Sequence, residues 1–233
     1  MDDDLNYNTY IYISSKKLII SVTTNLNEKV YQDELFFEDN IQIINFDKLE
    51  YFLDTNIFKI EKKLKNFIKK ISFIIDLDIF SSIEISVKKN NYEANIDLKS
   101  LSHVLNEAKD YCRKTIDTAR VAHMIINNYR FDNENYSFLP EGINCNIFYL
   151  DIEFICISGE IIKNLEKILK KYQISLGRVV SADYIKKFLI NDQKDIFLMT
   201  KEILDGYNPN EVLLINKTSK NKGFFEKFFN FFN

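Results

Sequence analysis

The side chains here whose type and spacing could do chemistry are two histidines, three cysteines and one alternating pair of carboxylates. His103 and His123 have no second His or Cys at metal-ligand spacing nearby, so neither has the partners that a zinc site or a general base requires. Both read as structural: His103 lies on or beside a helical stripe, and His123 on one side of a strand. Asp151 and Glu153 alternate on one strand face, as paired carboxylates doing acid–base work would. A solvent-facing strand accounts for that spacing equally well, and catalysis is not expected of them. Cys112, Cys145 and Cys156 show no CxxC spacing, and Cys112 and Cys156 fall on apolar faces, which makes them core thiols. An odd cysteine count fits a reducing, cytoplasmic compartment. No enzyme activity, metal or cofactor is expected.

The elements that must position these residues start with the stretch from Ser100 to Ser158. Ser100 stands where an N-cap would, and Leu101, Val104, Leu105, Ala108 and Cys112 recur at helical spacing. After Thr118 the period becomes two: Val121, His123, Ile125, Asn127 and Tyr129 are expected on one face of a strand that turns at Asp132-Asn133. Ile147 to Ser158 reads as a second long strand, with Phe148, Leu150, Ile152, Phe154 and Cys156 on one face. Upstream, Ser82 to Lys88 is a short strand, so the order is strand, helix, strand, strand.

On the amino-terminal side, Tyr7–Ser14, Lys17–Thr23 and Lys29–Phe37 read as a β-meander, with Ile41–Ile44 as a fourth strand. Helices are expected over Asp47–Leu53 and Asn56–Ile74. The second carries Lys59, Lys62, Lys63, Lys65, Lys69 and Lys70 on a solvated face, against a stripe of Ile57, Ile60, Leu64, Phe67, Ile68 and Ile71. Beyond Ser158 come an amphipathic helix over Gly159–Tyr172, a strand over Ile174–Val180, helices over Ala182–Leu189 and Asp195–Leu204 capped by Gly206, and a short strand over Val212–Ile215.

Composition permits one large domain or two small ones in 233 residues, with 46% hydrophobic side chains. Phe and Tyr must supply much of the core, because Trp is absent. A net charge of −3 provides no field to attract nucleic acid, and none is expected as a partner. No apolar span reaches membrane length, and Met1-Asp2-Asp3-Asp4 is unlike a secretory signal.

Four segments in chain order, Ala122 to Asp132, Leu139 to Asn146, Asn164 to Ile168 and Leu176 to Ser181, together resemble the FtsA family of actin-like bacterial division proteins. Ala122 to Asp132 resembles the family strand that ends in a Tyr-x-x-Asp-Gly turn, and Leu139 to Asn146 the Pro-x-Gly-Met-x-Gly loop that follows. Asn164-Leu165-Glu166-Lys167-Ile168 and Leu176 to Ser181 resemble the next helix and strand, in order, over roughly residues 8–190. PilM proteins of pilus assembly share this architecture and are the close runner-up. The resemblance implies an α+β, α/β fold: half of an actin-like, ribonuclease H-like domain (1–80 and 159–216) with an inserted strand-helix-strand-strand SHS2 subdomain, called 1C (81–158). A linker and an amphipathic tail helix occupy 217–233. It further implies cell-division partners, or self-contact, through the SHS2 unit, with PilM-like pilus or secretion assembly as the alternative. The departures concern nucleotide. The family opens with Asp-x-Gly-Thr/Ser, whereas Ser14-Ser15-Lys16 has neither the acid nor the glycine. No second glycine-rich loop follows residue 195, and the length is short for a second lobe, so ATP is not expected.

The tail reads KGFFEKFFNFFN. On a helix, Phe224, Phe225, Phe228, Phe229, Phe231 and Phe232 fill one arc of about 160°, opposite Glu226, Lys227, Asn230 and Asn233. Six such side chains represent up to ~10 kcal/mol of gross transfer energy. The expected outlet is the inner face of the cell membrane, assisted by Lys217, Lys220, Lys222 and Lys227; docking on a protein groove, the chain's own or a partner's, is the alternative.

Overall fold

The computed structural model describes residues 7–92, 96, 98–140, 142–188 and 195–212. The tail, with the membrane-binding residues expected of it, and residues 213–215 lie outside that set. Strands β1 (Tyr7–Ser14), β2 (Lys17–Thr24) and β3 (Lys29–Phe36) form the antiparallel meander. Helix α1 (Phe46–Leu64) follows, and then β4 (Lys70–Asp76), parallel to β1. Next come β5 (Phe80–Asn90), α2 (Leu98–Thr115), β6 (Ala119–Phe131), the short β7 (Glu134–Tyr136) and β8 (Ile147–Ser158). The chain continues through α3 (Gly159–Lys170), β9 (Ser175–Ser181), α4 (Ala182–Phe188) and α5 (Ile196–Leu204).

Two sheets result. One has the order β3-β2-β1-β4-β9, the other β5-β8-β6-β7. In the first, three antiparallel strands continue into two parallel ones, and helices cover both faces. This is the mixed α+β architecture expected above. Ile11, Ile13, Leu18, Ile20 and Val22 pack beneath α1 and α3, whereas Tyr10, Ile19, Ile74 and Val180 pack beneath α4 and α5. The four-stranded sheet has its own core, formed where Leu101, Val104, Ala108 and Cys112 of α2 meet Phe148, Leu150, Ile152, Phe154 and Cys156 of β8.

Five expectations change. Helix α1 is continuous, because Thr55 Oγ1 and Asn56 Nδ2 donate to the carbonyls of Tyr51 and Phe52 at 2.9 Å rather than interrupting the helix. It then stops at Leu64. Lys65 adopts a left-handed φ of 52°, and Glu61 Oε1 accepts the Ile68 amide at 3.1 Å, turning the chain back. Residues 70–76, expected to be helical, form the interior strand β4, buried from Ile71 to Ile75 as a strand covered on both faces must be. Ile41–Ile44 is not a strand. It wraps the β1–β2 turn, with the Phe37 and Ile41 amides donating to the carbonyls of Lys16 and Ser15 at 2.8 Å. Helix α2 begins at Leu98, so Ser100 lies inside it and is not its cap.

The fifth change concerns β6. Bulges at Val121/His123 and Ile126/Asn128 each shift the side-chain phase. Met124, Ile126, Tyr129 and Phe131 therefore face α2, while His123 and Ile125 face the larger sheet's helices. Four consecutive residues, His123 to Ile126, are buried.

Candidate functional site

Open α/β sheets bind ligands beyond the carboxyl ends of their parallel strands, here Ser14, Asp76 and Ser181. At this edge the polar groups satisfy one another. Ser14 Oγ accepts the amides of Lys16 and Lys17 at 3.3 and 3.2 Å and donates to the Lys17 carbonyl at 3.2 Å. The turn's donors therefore point inward. Asp76 takes Lys186 Nζ on its two oxygens at 2.7 and 2.8 Å and also accepts the Tyr12 hydroxyl. Burial, and then that bond to Asp76, raises the Tyr12 hydroxyl's pKa, so Tyr12 remains a neutral donor.

Beside this edge the two sheets meet in a buried polar seam. The bulge in β6 aims His123 at β9, where its Nε2 accepts the Ser181 amide at 3.1 Å. The proton must then sit on Nδ1, which donates to Glu211 Oε1 at 2.8 Å. Glu211 Oε2 accepts the Tyr184 hydroxyl at 2.9 Å, and that hydroxyl accepts Asn208 Nδ2 at 2.8 Å. Arg178 Nη2 lies 3.6 Å from Glu211 Oε1 and donates to the Ala122 carbonyl at 3.2 Å. The rings of His123 and Tyr184 stand 4.4 Å apart.

The pairing with Glu211 favours charge on His123, yet its side chain is wholly buried and Nε2 already accepts a backbone proton. Burial therefore dominates and pushes the imidazole below its ordinary pKa, with Arg178 adding to the effect and Glu211 opposing it. Glu211 enters from the segment after α5. The Ile126 amide donates to the Asn210 carbonyl and the Val212 amide to the Met124 carbonyl, so residues 210–212 run along β6. Gly177 keeps β9 close to β4: a Cβ there would stand 2.4 Å from Ser72 Oγ, which accepts the Arg178 amide.

A cleft of about 500 Å3 opens next to the seam, with Asp78, Glu153 and Asp183 on its walls against Lys187.

The residues singled out in the sequence do not assemble into one site. His123 is the structural histidine expected, whereas His103 is exposed on α2. Asp151 and Glu153 lie on the outer face of the four-stranded sheet. Asp151 accepts Ser86 and Asn128, and Glu153 accepts Ser82 and Asn127, so the pair is held as acceptors on a polar face. Cys112 and Cys156 are free thiols 4.0 Å apart in the core, and burial pushes the Cys156 pKa up to about 12. Glu211, Tyr184 and Arg178 were not legible as partners of His123, because they come together only through the bulged register of β6. Among the described residues no three metal-ligating side chains form a cluster, and no helix is long and apolar enough to cross a membrane.

The chain thus belongs to the mixed α+β class, with two sheets joined by a polar seam. No family model and no curated protein matches its sequence. Solved structures do share part of its shape. A chain of a PilM–PilN type IV pilus biogenesis complex is 8% identical, with a TM-score of 0.46 over 78% of this chain and 49% of that one. The cytoplasmic domain of EpsL, an inner membrane component of the type II secretion system of Vibrio cholerae, is 11% identical, with a TM-score of 0.36 over 77% of this chain and 57% of that one. The ethanolamine utilization protein EutJ from Carboxydothermus hydrogenoformans is 10% identical, with a TM-score of 0.28 over 87% of this chain and 73% of that one. The chain spans only 49% and 57% of the first two.

Proposed function

We propose that this protein is a non-catalytic adaptor held at a membrane surface, built from half of an actin-like domain and an SHS2-like unit that contacts other proteins. One observation carries the reading: the β1–β2 turn spends its Lys16 and Lys17 amides on Ser14, so the backbone donors that would grip a phosphate are already bonded within the chain. The tail supplies the membrane half of the proposal, through Phe224, Phe225, Phe228, Phe229, Phe231, Phe232 and Lys227. Two settings fit such an adaptor. The division apparatus follows from the FtsA-like segments. A pilus or secretion assembly follows from the PilM alternative and is the setting named for two of the similar structures. A fluorescent fusion recruited to mid-cell selects the first, and a polar or dispersed signal the second.

Saturating Mg-ATP should move the thermal midpoint by less than about 2 °C, since a ligand that binds only the folded state raises stability visibly. A larger shift would remove the non-catalytic reading. In a lipid-vesicle sedimentation assay the intact chain should pellet and a chain ending at Asn216 should stay in the supernatant. Equal sedimentation of both would remove the lipid role of the tail.

A further inference from the structure

The four-stranded sheet ends in an edge of unusual regularity. β5 pairs with β8 through eleven consecutive positions, Phe80 to Asn90, without a bulge, whereas β6 is bulged twice against the same strand. Among the described residues β5 has a strand neighbour on one side only. It contains no proline. An edge of this kind is a template for another strand.

The charges on β5 specify which strand. Glu84 is exposed, and its cross-strand partner on β8 is Glu153, so two carboxylates stand side by side. Like charges directly opposite are unfavourable, and no cation pairs with Glu84 among the described residues. Lys88 is exposed four positions along on the same face of β5. An antiparallel copy of β5 centred on Ser86 places each Glu84 opposite the other chain's Lys88, twice by symmetry. The same register sets Ile85 opposite Val87 on the face that packs under α2. A register centred on Glu84 or on Lys88 instead opposes identical charges, and one centred on Ile85 or Val87 leaves Glu84 and Lys88 unmatched, so charge complementarity favours the Ser86 register.

We propose that two copies of this chain associate edge to edge through β5, antiparallel about a twofold axis at Ser86, joining their four-stranded sheets into one. This deepens the adaptor reading, because it takes the SHS2-like unit as the contact surface and makes a second copy its partner.

Sedimentation velocity of the full-length chain over a concentration series tests it. The wild type should approach twice the mass of one chain as concentration rises. Glu84→Lys or Lys88→Glu, each reversing two symmetry-related pairs, should weaken the dimer about tenfold or more. The double variant Glu84→Lys/Lys88→Glu should restore it, since the pairs reform with charges exchanged. Glu84→Lys also relieves the contact with Glu153, so at concentrations low enough for both proteins to be monomeric its thermal midpoint should not fall below the wild type's, which separates lost pairing from lost folding. A chain monomeric at every concentration, or association indifferent to these reversals, would overturn the pairing. Because vesicle sedimentation is measured separately, a monomer that still pellets with lipid sinks the pairing alone, and a dimer that ignores lipid sinks the tail's role alone.

Discussion

Replacing Glu211 by Ala is expected to cost about 3 kcal/mol of stability, the scale for breaking a buried charged pair. The carboxylate serves three groups at once: it accepts His123 Nδ1–H and the Tyr184 hydroxyl and faces Arg178. Its loss strands a buried imidazole donor and a buried hydroxyl between the two sheets. For a chain of this length the thermal midpoint should fall by about 6–12 °C. Glu211→Gln, which keeps one acceptor oxygen, should lose less. The network also has a pH signature. Burial holds His123 below its ordinary pKa of 6.5, so below that pH the unfolded chain binds a proton that the folded chain does not. Stability from this group is therefore fully present above about pH 6.5 and is lost on acidification by at most about 1.4 kcal/mol per pH unit. His123→Gln, which can still donate to Glu211 and accept from Ser181, should flatten that slope relative to wild type between pH 6.5 and 5. An unchanged midpoint in Glu211→Ala, or identical pH slopes in both proteins, would show that the seam does not hold the sheets together.

What could be read in advance followed from local periodicity. The meander, α3, β8 and the capped α5 each carry their pattern within a few residues: β8 alternates buried and half-buried positions along most of its length, and Asp195 caps α5 by accepting the Phe197 amide at 2.9 Å. The seam was not legible, because its geometry depends on two bulges, and a bulge leaves no mark on a sequence while reversing which residues share a face. Glu211 reaches the seam only because residues 210–212 run along β6, a pairing that no local pattern around it signals. Strand β4 was not legible for a different reason. Ile60, Leu64, Phe67, Ile68 and Ile71 continue a helical stripe by coincidence, and the signals that end α1 are a left-handed lysine and a glutamate capping an amide seven residues on, neither of which is a glycine or proline.

Phe73→Ala is expected to destabilise the protein by about 4 kcal/mol, whereas Phe67→Ala should lie within about 0.5 kcal/mol of wild type. Were residues 56–74 one amphipathic helix, the ranking would invert. Phe67 belongs to the apolar stripe of such a helix, while Phe73, two residues past Ile71, would fall on its solvent side. In the folded chain Phe67 is 80% exposed in the turn after α1, and Phe73 is fully buried at the middle of β4, between the flanking strands β1 and β9. The residual cavity adds to the lost transfer energy of the ring, because the strands on either side are fixed by their ladders and cannot close the gap. Urea unfolding of the two single variants decides the matter. A costly Phe67→Ala with a neutral Phe73→Ala would remove β4 from the sheet, and with it the edge at Asp76 and the placement of β9 on which the seam depends.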